Sequence, residues 1–341
     1  MNMRKNVSLA RHTTMRVGGP ARFFIEAKTI EDVNNAVLFS RENNVPLFVL
    51  GSGSNIVVRD TGFDGVVLKM NIKGTKFFPE GDGAVIAALG AGEGWDAFVA
   101  RAVRKKLYGV ENLSFIPGTV GAAPIQNIGA YGMEVEETVQ WVTVFDQETL
   151  QIKKLTNAEC GFSYRESVFK KDTNLIVTEV AFLLRKNGTI RAEYKDIKKY
   201  FEEREILNPS LEDVRAAVIA IRKAKLPDPR VIGTVGSFFK NPIIPLDKFL
   251  DLKHEHPDLP RYEAGDGRVK IPLGWVLDSI CKLKGIRREN IGTHESQALV
   301  LVHYGGATAR EIEAFAEGMR AMVQEKIGIV PEYEISFVGK F

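Results

Sequence analysis

The sequence predicts an α+β protein made of two regions, and three observations support this fold class. The chain has 341 residues, more than one typical domain, with 45% hydrophobic and 26% charged residues, as in proteins with a buried core. Segments with strand-like alternation and segments with helical spacing follow one another along the chain. An Asn-Pro-Ser break in "EILNPS" (205–210) then predicts a larger region, 1–209, and a smaller one, 210–341.

In the larger region, the first elements alternate between strand and helix. "TIEDVNNAVLFSRENN" (29–44) has helical spacing, and Thr29 with Asp32 predicts a reciprocal cap at its start. "GWDAFVARAVRKK" (94–106) predicts a second helix. The predicted strands of this region are 21–27, 46–50, 142–146 and 174–184.

In the smaller region, Ser210 and Asp213 predict a capped helix that runs to Lys225. A proline-rich connection, "KLPDPRVIG" (225–233), follows it. The remaining predicted elements are a strand at 297–303, an amphipathic helix at 308–328 and an alternating final strand at 331–339.

Charge and cysteine content exclude several classes of function. The formal charge is only +3 and the basic residues are spread along the chain, so we expect anionic small molecules rather than nucleic acid as partners. The two cysteines form no C-x-x-C, and no His spacing is typical of a metal site, so we expect no bound metal. No apolar run is long enough for a membrane span or a signal peptide. We expect a cytoplasmic protein, and a monomer.

Two glycine-rich loops indicate ligand binding. "LGSGSN" (50–55) has G-x-G spacing, but a strand-like segment follows it, which argues against a dinucleotide-binding helix. Its backbone N–H groups could form a phosphate nest, and a plain hairpin loop is the alternative. "SFIPGTVGAAPIQNIGAYG" (114–132) carries four glycines among small residues, which would let the backbone approach a flat ligand closely.

Ser237, in "GTVGSFFKNP" (233–242), has no features of a nucleophile. The motif lacks the second glycine of a G-x-S-x-G elbow, and the nearest histidine, His254, lies beyond two prolines. A serine hydrolase is therefore disfavoured. The residues alone leave open whether Ser237 is a phosphate ligand, a proton donor or only a small residue in a turn.

A series of motifs resembles one family in order. The motifs are "TTMRVGGPARFF" (13–24), "LGSGSN" (50–55), "PGTVGAAPIQNIGAYG" (117–132), "FSYRES" (162–167), "KLPDP" (225–229), "GSFFKNP" (236–242) and "GWVLDS" (274–279). Together they resemble the UDP-N-acetylenolpyruvoylglucosamine reductases, flavoenzymes of peptidoglycan precursor synthesis. The segments 192–203 and 245–272 resemble the type of this family that has a tyrosine loop, here near 190–200.

The resemblance implies a vanillyl-alcohol-oxidase-type (PCMH-like) FAD-binding region followed by a substrate-binding domain. It implies non-covalent FAD, reduced by NADPH, and a UDP-sugar substrate. The implied FAD contacts are Gly51, Ser52, Gly53, Ser54, Asn55, Pro117, Gly118, Thr119, Gly121, Ala122, Gln126, Asn127, Gly129, Ala130 and Arg222. The implied substrate contacts are Tyr194, Lys225, Asn241, Tyr262 and Gln297.

The same resemblance implies three catalytic residues. Ser237 would donate a proton, and Arg165 would bind a carboxylate through its planar guanidinium. The third would be a glutamate in "VPEYEISFVG" (330–339), where counting back from "FVG" favours Glu334 over Glu332. Strand alternation would place both glutamates on one face, so geometry leaves this choice open.

Two other functions fit parts of this pattern. One is an FAD oxidase or dehydrogenase acting on a different substrate, although no His or Cys in 114–132 could carry a covalent flavin. The other is a non-catalytic protein that binds a nucleotide sugar. Retention of Arg165, Ser237 and Glu334 speaks against the second.

Overall fold

A four-stranded sheet and one helix form the first layer of the chain. A computed structural model describes residues 2–340, so the end residues of the predicted regions 1–209 and 210–341 lie outside the described residues. The helix is Ile30–Glu42, and its start is fixed by the predicted cap: Asp32 donates its N–H to Thr29 Oγ1 at 3.1 Å, and Thr29 donates its own to Asp32 Oδ2 at 3.0 Å. The strands lie in the order Met3–Ser8, Pro20–Ala27, Phe63–Met70 and Leu47–Leu50.

A five-stranded antiparallel sheet forms the second layer, with Leu175–Arg185 in the middle. The helix Trp95–Arg104 packs on it through aromatic side chains. Phe98 stacks on Phe182 with 4.8 Å between ring centroids, and Trp95 meets Phe182 edge-on at 5.7 Å. The strands run in the order Gln151–Thr156, Val139–Asp146, Leu175–Arg185, Ala84–Gly90 and Thr75–Pro79.

Two helices, Lys195–Glu202 and Leu211–Lys225, share a small apolar core. Ser210 caps the second helix as predicted, since its Oγ accepts the N–H of Asp213 at 3.2 Å. The buried residues of this core are Ile197, Phe201, Val214, Ala217 and Val218.

The C-terminal part is built around another four-stranded antiparallel sheet and a long helix, Ala309–Ile327. Thr308 caps the helix at its start, and Gly328 ends it in the left-handed conformation, with φ of +64°. The strands lie in the order Gly233–Ser237, Gln297–His303, Ile291–His294 and Arg287–Arg288.

Shorter elements complete this part. The strands Ile243–Pro245, Arg268–Lys270 and Tyr262–Glu263 form a small sheet next to the helix Leu246–Glu255. Leu273–Trp275 continues into the π-helical turn Val276–Ile280.

Elsewhere the chain makes a short helix, Val168–Lys171, a strand pair, Gly129–Ala130 with Met133–Glu134, and five 3₁₀ turns: Leu9–His12, Glu111–Leu113, Val120–Ala122, Val135–Glu137 and Ala158–Cys160.

The final strand is shorter than predicted. Only Ser336–Val338 is a strand, and it pairs in parallel with Ile56–Val58. Tyr333 instead forms an isolated antiparallel bridge with Phe239. The alternation predicted over 331–339 is therefore wrong for its first half, because the chain changes its hydrogen-bonding partner between Tyr333 and Ser336. The strand predicted directly after the 51–55 loop is confirmed by Ile56–Val58.

The chain divides into two compact units whose boundaries differ from the expected regions. The first unit comprises 2–7, 21–52 and 64–224, and the second comprises 8–20, 53–63 and 225–340. The helix Leu211–Lys225 thus belongs almost wholly to the first unit, and two N-terminal segments belong to the second. The α+β class is confirmed. The functional assignment of the regions 1–209 and 210–341 stays a prediction.

Candidate active site

In the first unit, Gly51 of the first glycine-rich loop lies against the second loop. A Cβ placed on Gly51 would come 3.1 Å from Thr119 Oγ1 and 3.5 Å from the Cβ of Ala122. The missing side chain of Gly51 is therefore what lets the end of the strand Leu47–Leu50 approach the second loop this closely. The resemblance implies that both loops contact FAD, and within the first unit Gly51 lies beside Thr119 and Ala122.

The second loop is held by the sheet behind it. Val120 donates its N–H to Glu93 O at 2.8 Å, and Gly121 donates to Ala91 O at 2.9 Å. A Cβ on Gly121 would lie 2.4 Å from the Cβ of Ala91, so close packing alone requires glycine there. Gly121 thus has a structural reason to be present, whatever its role toward a ligand.

Most of the predicted cofactor residues are reachable from solvent. Asn127 is fully buried, and Gly53 and Gly121 are also buried. Pro117 is exposed. The others lie half-buried: Gly51, Ser52, Ser54, Asn55, Gly118, Thr119, Ala122, Gln126, Gly129, Ala130 and Arg222.

Arg165 contacts the second glycine loop. Its Nη2 donates to Gly129 O at 3.0 Å, and its Nη1 lies 3.8 Å from Glu134 Oε1. Glu134 in turn accepts a 2.8 Å hydrogen bond from Asn127 Nδ2, whose Oδ1 accepts the N–H of Glu136 at 3.1 Å. The guanidinium, predicted as a catalytic group, is thus half-buried and fixed against the predicted cofactor loop.

Four residues with side chains have left-handed backbone around this loop. Phe115, Asn127, Tyr131 and Arg165 all adopt positive φ, with values of 61°, 43°, 51° and 58°. This region of conformational space is sparsely populated by residues other than glycine. The same conformation occurs at other positions, including Asn44 and Leu150, so here it describes how tightly the loop is folded.

Arg222 and Tyr131 form a polar pair at the end of the same loop. Arg222 hydrogen-bonds the Tyr131 hydroxyl, and its Nε donates to Phe115 O at 3.1 Å. Burial raises the pKa of the Tyr131 phenol, so it stays protonated near neutral pH. The ring of Tyr131 meets Tyr194 edge-on, with centroids 5.3 Å apart. Both Arg222 and Tyr194, predicted for different ligands, thus contact Tyr131.

In the second unit, a β-bulge sets the position of Ser237. The register between Gly233–Ser237 and Gln297–His303 shifts between Thr234 and Ser237, and Gly236 has φ of +76°. Thr234 Oγ1 holds the bulge by accepting the N–H of Gly236 at 3.1 Å and donating to Leu301 O at 2.9 Å. A bulge redirects the next side chain, here the half-buried Ser237.

Glu334 and Ser237 are connected through Phe238. The Phe238 carbonyl accepts the N–H of Glu334 at 2.9 Å, and the Phe238 N–H donates to Leu299 O at 3.0 Å. Asn55 Nδ2 donates to the Glu334 carbonyl at 3.1 Å, so one predicted cofactor residue also supports this segment. The serine and the glutamate therefore lie close together on neighbouring segments.

The structure separates the two glutamates that the sequence left open. The Glu332 side chain is 77% exposed and lies 3.3 Å from Lys240 Nζ. Glu334 is half-buried. The expectation that strand alternation places them on one face is wrong, because residues 332–335 do not form a regular strand. The different burial favours Glu334 as the functional residue.

Two predicted substrate residues flank one turn of the chain. Asn241 Oδ1 accepts the N–H of Leu273 at 2.9 Å, and a Cβ on Gly274 would lie 2.6 Å from Gln297 Oε1. Tyr262 lies apart on the small three-stranded sheet, where it is 49% exposed, and Lys225 is the last residue of its helix.

Sequence reasoning missed three residues near these positions. They are Glu134, beside Arg165, Asn112, which is buried behind the second loop, and Lys69, whose Nζ hydrogen-bonds Gly51 O. Burial lowers the pKa of the Lys69 amine. A lysine inside the apolar run "VVLKM" (66–70) was a signal that could have identified it.

The described residues contain neither a metal-binding cluster nor a membrane-spanning helix. Across residues 2–340, no three His, Cys, Asp or Glu side chains are grouped so that they could hold a metal ion. Within the same residues, no helix has both the length and the apolar character that a bilayer span requires.

The residues of the first unit fit FAD. The small, half-buried residues Gly51, Ala122, Gly129 and Ala130 leave backbone accessible to a flat, charged ligand. Residues 21–153 match a family model described as an FAD binding domain. Residues 228–338 match the model of the C-terminal domain of UDP-N-acetylenolpyruvoylglucosamine reductase.

Similarity extends over the whole chain. It is 40% identical over 338 residues to a UDP-N-acetylenolpyruvoylglucosamine reductase of Chromobacterium violaceum, with 98% of each chain covered. It is 38% identical to that of Flavobacterium johnsoniae, covering 99% of this chain and 100% of the relative. The crystal structure of the Thermus caldophilus reductase superposes with a TM-score of 0.69 at 25% identity, covering 99% of this chain and all of the other. The chain therefore belongs to the UDP-N-acetylenolpyruvoylglucosamine reductase family of FAD-dependent oxidoreductases.

Proposed function

We propose that the protein reduces the enolpyruvyl ether of a UDP-N-acetylglucosamine enolpyruvate to UDP-N-acetylmuramate, with FAD as cofactor and NADPH as electron source. The observation that carries the proposal is the pairing of Ser237 and Glu334 through Phe238, in a chain that aligns end to end with named reductases. The reaction belongs to peptidoglycan precursor synthesis. We also propose a cytoplasmic location and a monomeric state.

The reduction adds one hydride and one proton across a carbon–carbon double bond. When bound, FAD would supply the hydride that adds to the terminal carbon of the enolpyruvyl group, with NADPH, oxidised to NADP⁺, as the source of that hydride. The electron pair of the double bond moves to the carbon that bears the carboxylate. This carbon then takes a proton, which the Ser237 hydroxyl donates, and Ser237 regains a proton from solvent.

A serine suits this step for a chemical reason. Its hydroxyl is a very weak acid, so it protonates only a strongly basic partner such as a carbanion beside a carboxylate. The bulge at Gly236 gives the hydroxyl a fixed direction without requiring a base next to it. No triad is needed, in agreement with the absence of a nucleophile motif around Ser237 in the sequence.

Arg165 and Glu334 would stabilise the charge that develops during the step. The Arg165 guanidinium is held by Gly129 O and Glu134, so its position is fixed before substrate binds. Its planar donors match a carboxylate, and we assign it to that group of the substrate. Glu334 would hydrogen-bond the enol oxygen or relay a proton to Ser237.

Five further residues are assigned to the UDP-sugar. We assign Lys225 to the diphosphate because a phosphate needs a counter-charge, and Tyr194 to the nucleotide. Asn241, Gln297 and Tyr262 are assigned as further polar contacts. Asn241 and Gln297 contact the adjacent residues Leu273 and Gly274, and this shared location supports their assignment to one ligand.

Absorbance spectra of the purified holoprotein test the proposal. Anaerobic NADPH should bleach the flavin band, and the enolpyruvyl sugar should restore it with formation of UDP-N-acetylmuramate. Reoxidation by air alone at a comparable rate would indicate a flavin oxidase instead. Bleaching that the sugar never reverses would contradict the assigned substrate.

A further inference from the structure

Asn112 links two segments assigned to different ligands. It lies in the turn Glu111–Leu113 and is fully buried. Its Nδ2 donates to Tyr131 O and to Arg191 O, each at 3.0 Å. Tyr131 ends the second glycine loop, and Arg191 lies three residues before Tyr194. One amide therefore holds the base of the tyrosine loop against the cofactor loop.

The donor end of Asn112 carries this contact. Its Oδ1 is buried and has no hydrogen-bond partner among residues 2–340. A buried polar atom without a hydrogen-bond partner destabilises the folded state, so the Asn112 oxygen offers no reason for an asparagine at this position. An apolar residue of the same size would lack the two N–H donors that Asn112 offers to the carbonyls of Tyr131 and Arg191.

The loop base also packs on apolar residues through Ile190 and Ala192, and its other polar and aromatic contacts are weaker. Arg191 forms an ion pair with Glu137, but its side chain is 52% exposed, and exposed ion pairs contribute little to stability. The edge-on contact of Tyr131 with Tyr194 fixes an aromatic ring rather than the backbone. Asn112 is thus a buried hydrogen-bonded connection between the backbones of the two loops.

We propose that Asn112 is a positioning residue for the UDP-sugar: it tethers the start of the tyrosine loop so that Tyr194 is already in place when the substrate arrives. Ordering a loop before binding spares the substrate that entropic cost, and the benefit appears in substrate affinity rather than in the hydride or proton steps. The proposal rests on the function proposed above.

Trypsin reports the tether directly, because its target bond follows Arg191. In the FAD-loaded protein, the bond between Arg191 and Ala192 opens only when the Arg191 carbonyl leaves Asn112. Asn112→Leu should accelerate cleavage at this bond by about tenfold, roughly the factor that a typical hydrogen bond represents. Mass spectrometry of the fragments identifies the bond that is cut.

Asn157→Leu is the matched control. Asn157 Nδ2 also donates to two carbonyls, those of Glu136 and Val139, at 2.7 and 2.8 Å, but neither belongs to the tyrosine loop. This variant loses the same kind of contact and should leave cleavage after Arg191 unchanged. Equal acceleration in both variants would overturn the tether, since general destabilisation would then explain it.

Steady-state kinetics test the functional part. Asn112→Leu should raise KM for the enolpyruvyl sugar by about tenfold while kcat changes by less than about threefold. The rate of flavin bleaching by NADPH should stay at the wild-type value. Faster cleavage after Arg191 with an unchanged KM would overturn the positioning role.

Two further outcomes are distinguishable. If Asn112→Leu shows no cooperative unfolding transition, Asn112→Ser replaces it: its hydroxyl can reach one carbonyl at most and should give smaller changes in the same directions. If the wild-type protein never turns over the sugar, the proposed function fails, while the cleavage assay still decides whether Asn112 holds the loop.

Discussion

Arg215 holds both carboxylate oxygens of Asp96, with distances of 2.7 Å to Oδ1 and 2.9 Å to Oδ2. The same Oδ1 accepts the N–H of Phe115 at 2.6 Å. Phe115 has positive φ and lies near the start of the second glycine loop. The ion pair therefore connects the helix Leu211–Lys225 with the helix Trp95–Arg104 and fixes the entry to the second glycine loop.

Asp96→Asn should destabilise the protein by about 2 kcal/mol at pH 7, because Arg215 loses its charged partner in a partly buried place. Chemical denaturation measures the change. Asp64→Asn is the control, since Asp64 pairs with Arg22 on the exposed surface at 3.2 Å. An equal loss in both variants would contradict the special position of Asp96.

The pH dependence of stability gives a second test of Asp96. Burial raises the pKa of its carboxyl, but the hydrogen bonds from Arg215 and Phe115 and the Arg215 charge outweigh it and leave the pKa below 3.8. The folded protein therefore binds the proton less tightly than the unfolded chain. The stabilisation is complete above pH 3.8 and is lost as the pH falls through the folded pKa. The Asp96→Asn variant should lack this component in denaturation curves measured down to that range.

Ser237→Ala should leave flavin reduction by NADPH intact and slow reoxidation by the enolpyruvyl sugar by about 10²- to 10⁴-fold, the usual contribution of a positioned proton donor. Stopped-flow spectra separate the two half-reactions. Ser336→Ala, an exposed serine of the last strand, should behave as wild type. Loss of both half-reactions in Ser237→Ala would mean that the residue only maintains the structure.

Glu334→Gln and Glu332→Gln form a matched pair. The first removes a half-buried carboxylate next to Phe238, and we expect kcat for the sugar to fall by about 10²-fold. The second removes an exposed carboxylate, and its kcat should stay within about twofold of wild type. The reverse order of the two variants would transfer the catalytic assignment to Glu332.

Gly53→Ala should lower the FAD content of the purified protein. Gly53 has φ of +67°, and an added Cβ would lie 2.4 Å from His12 O, so the loop must move. Gly81→Ala is the control, because Gly81 has φ of +78° but nothing within 4 Å of an added Cβ. Both variants carry a backbone cost of about 1 kcal/mol, whereas only the first should lose flavin absorbance per protein.

Local signals in the sequence were reliable where the structure itself is local. The caps at Thr29 and Ser210 depend on residues three positions apart, and both helices begin where these caps predict. The site motifs were found because glycine and small residues mark close backbone approach. Gly51 and Thr119 do touch, although no local pattern links them.

The remaining features depend on distant parts of the chain. Nothing in "ENLS" (111–114) reveals that Asn112 is buried between two carbonyls, one of them 79 positions away. Glu334 is held by its backbone, whose N–H donates to Phe238 O and whose carbonyl accepts from Asn55 Nδ2, and both partners are distant in sequence. Such information lies in the tertiary partners rather than in the periodicity of the segment.

The second unit contains early pieces of the chain, and this affects how it can be made. Met15, Val17 and Val57 belong to its core, and 279 positions separate Asn55 from the Glu334 carbonyl it supports. During translation, these early residues cannot complete their packing until the C-terminal residues of the second unit have been synthesised. A fragment that begins at residue 225 would lack part of the core of the second unit, and its last strand would lack its pairing partner Ile56–Val58. A chimaeric protein that exchanges the second unit should therefore exchange 8–20 and 53–63 together with the C-terminal part.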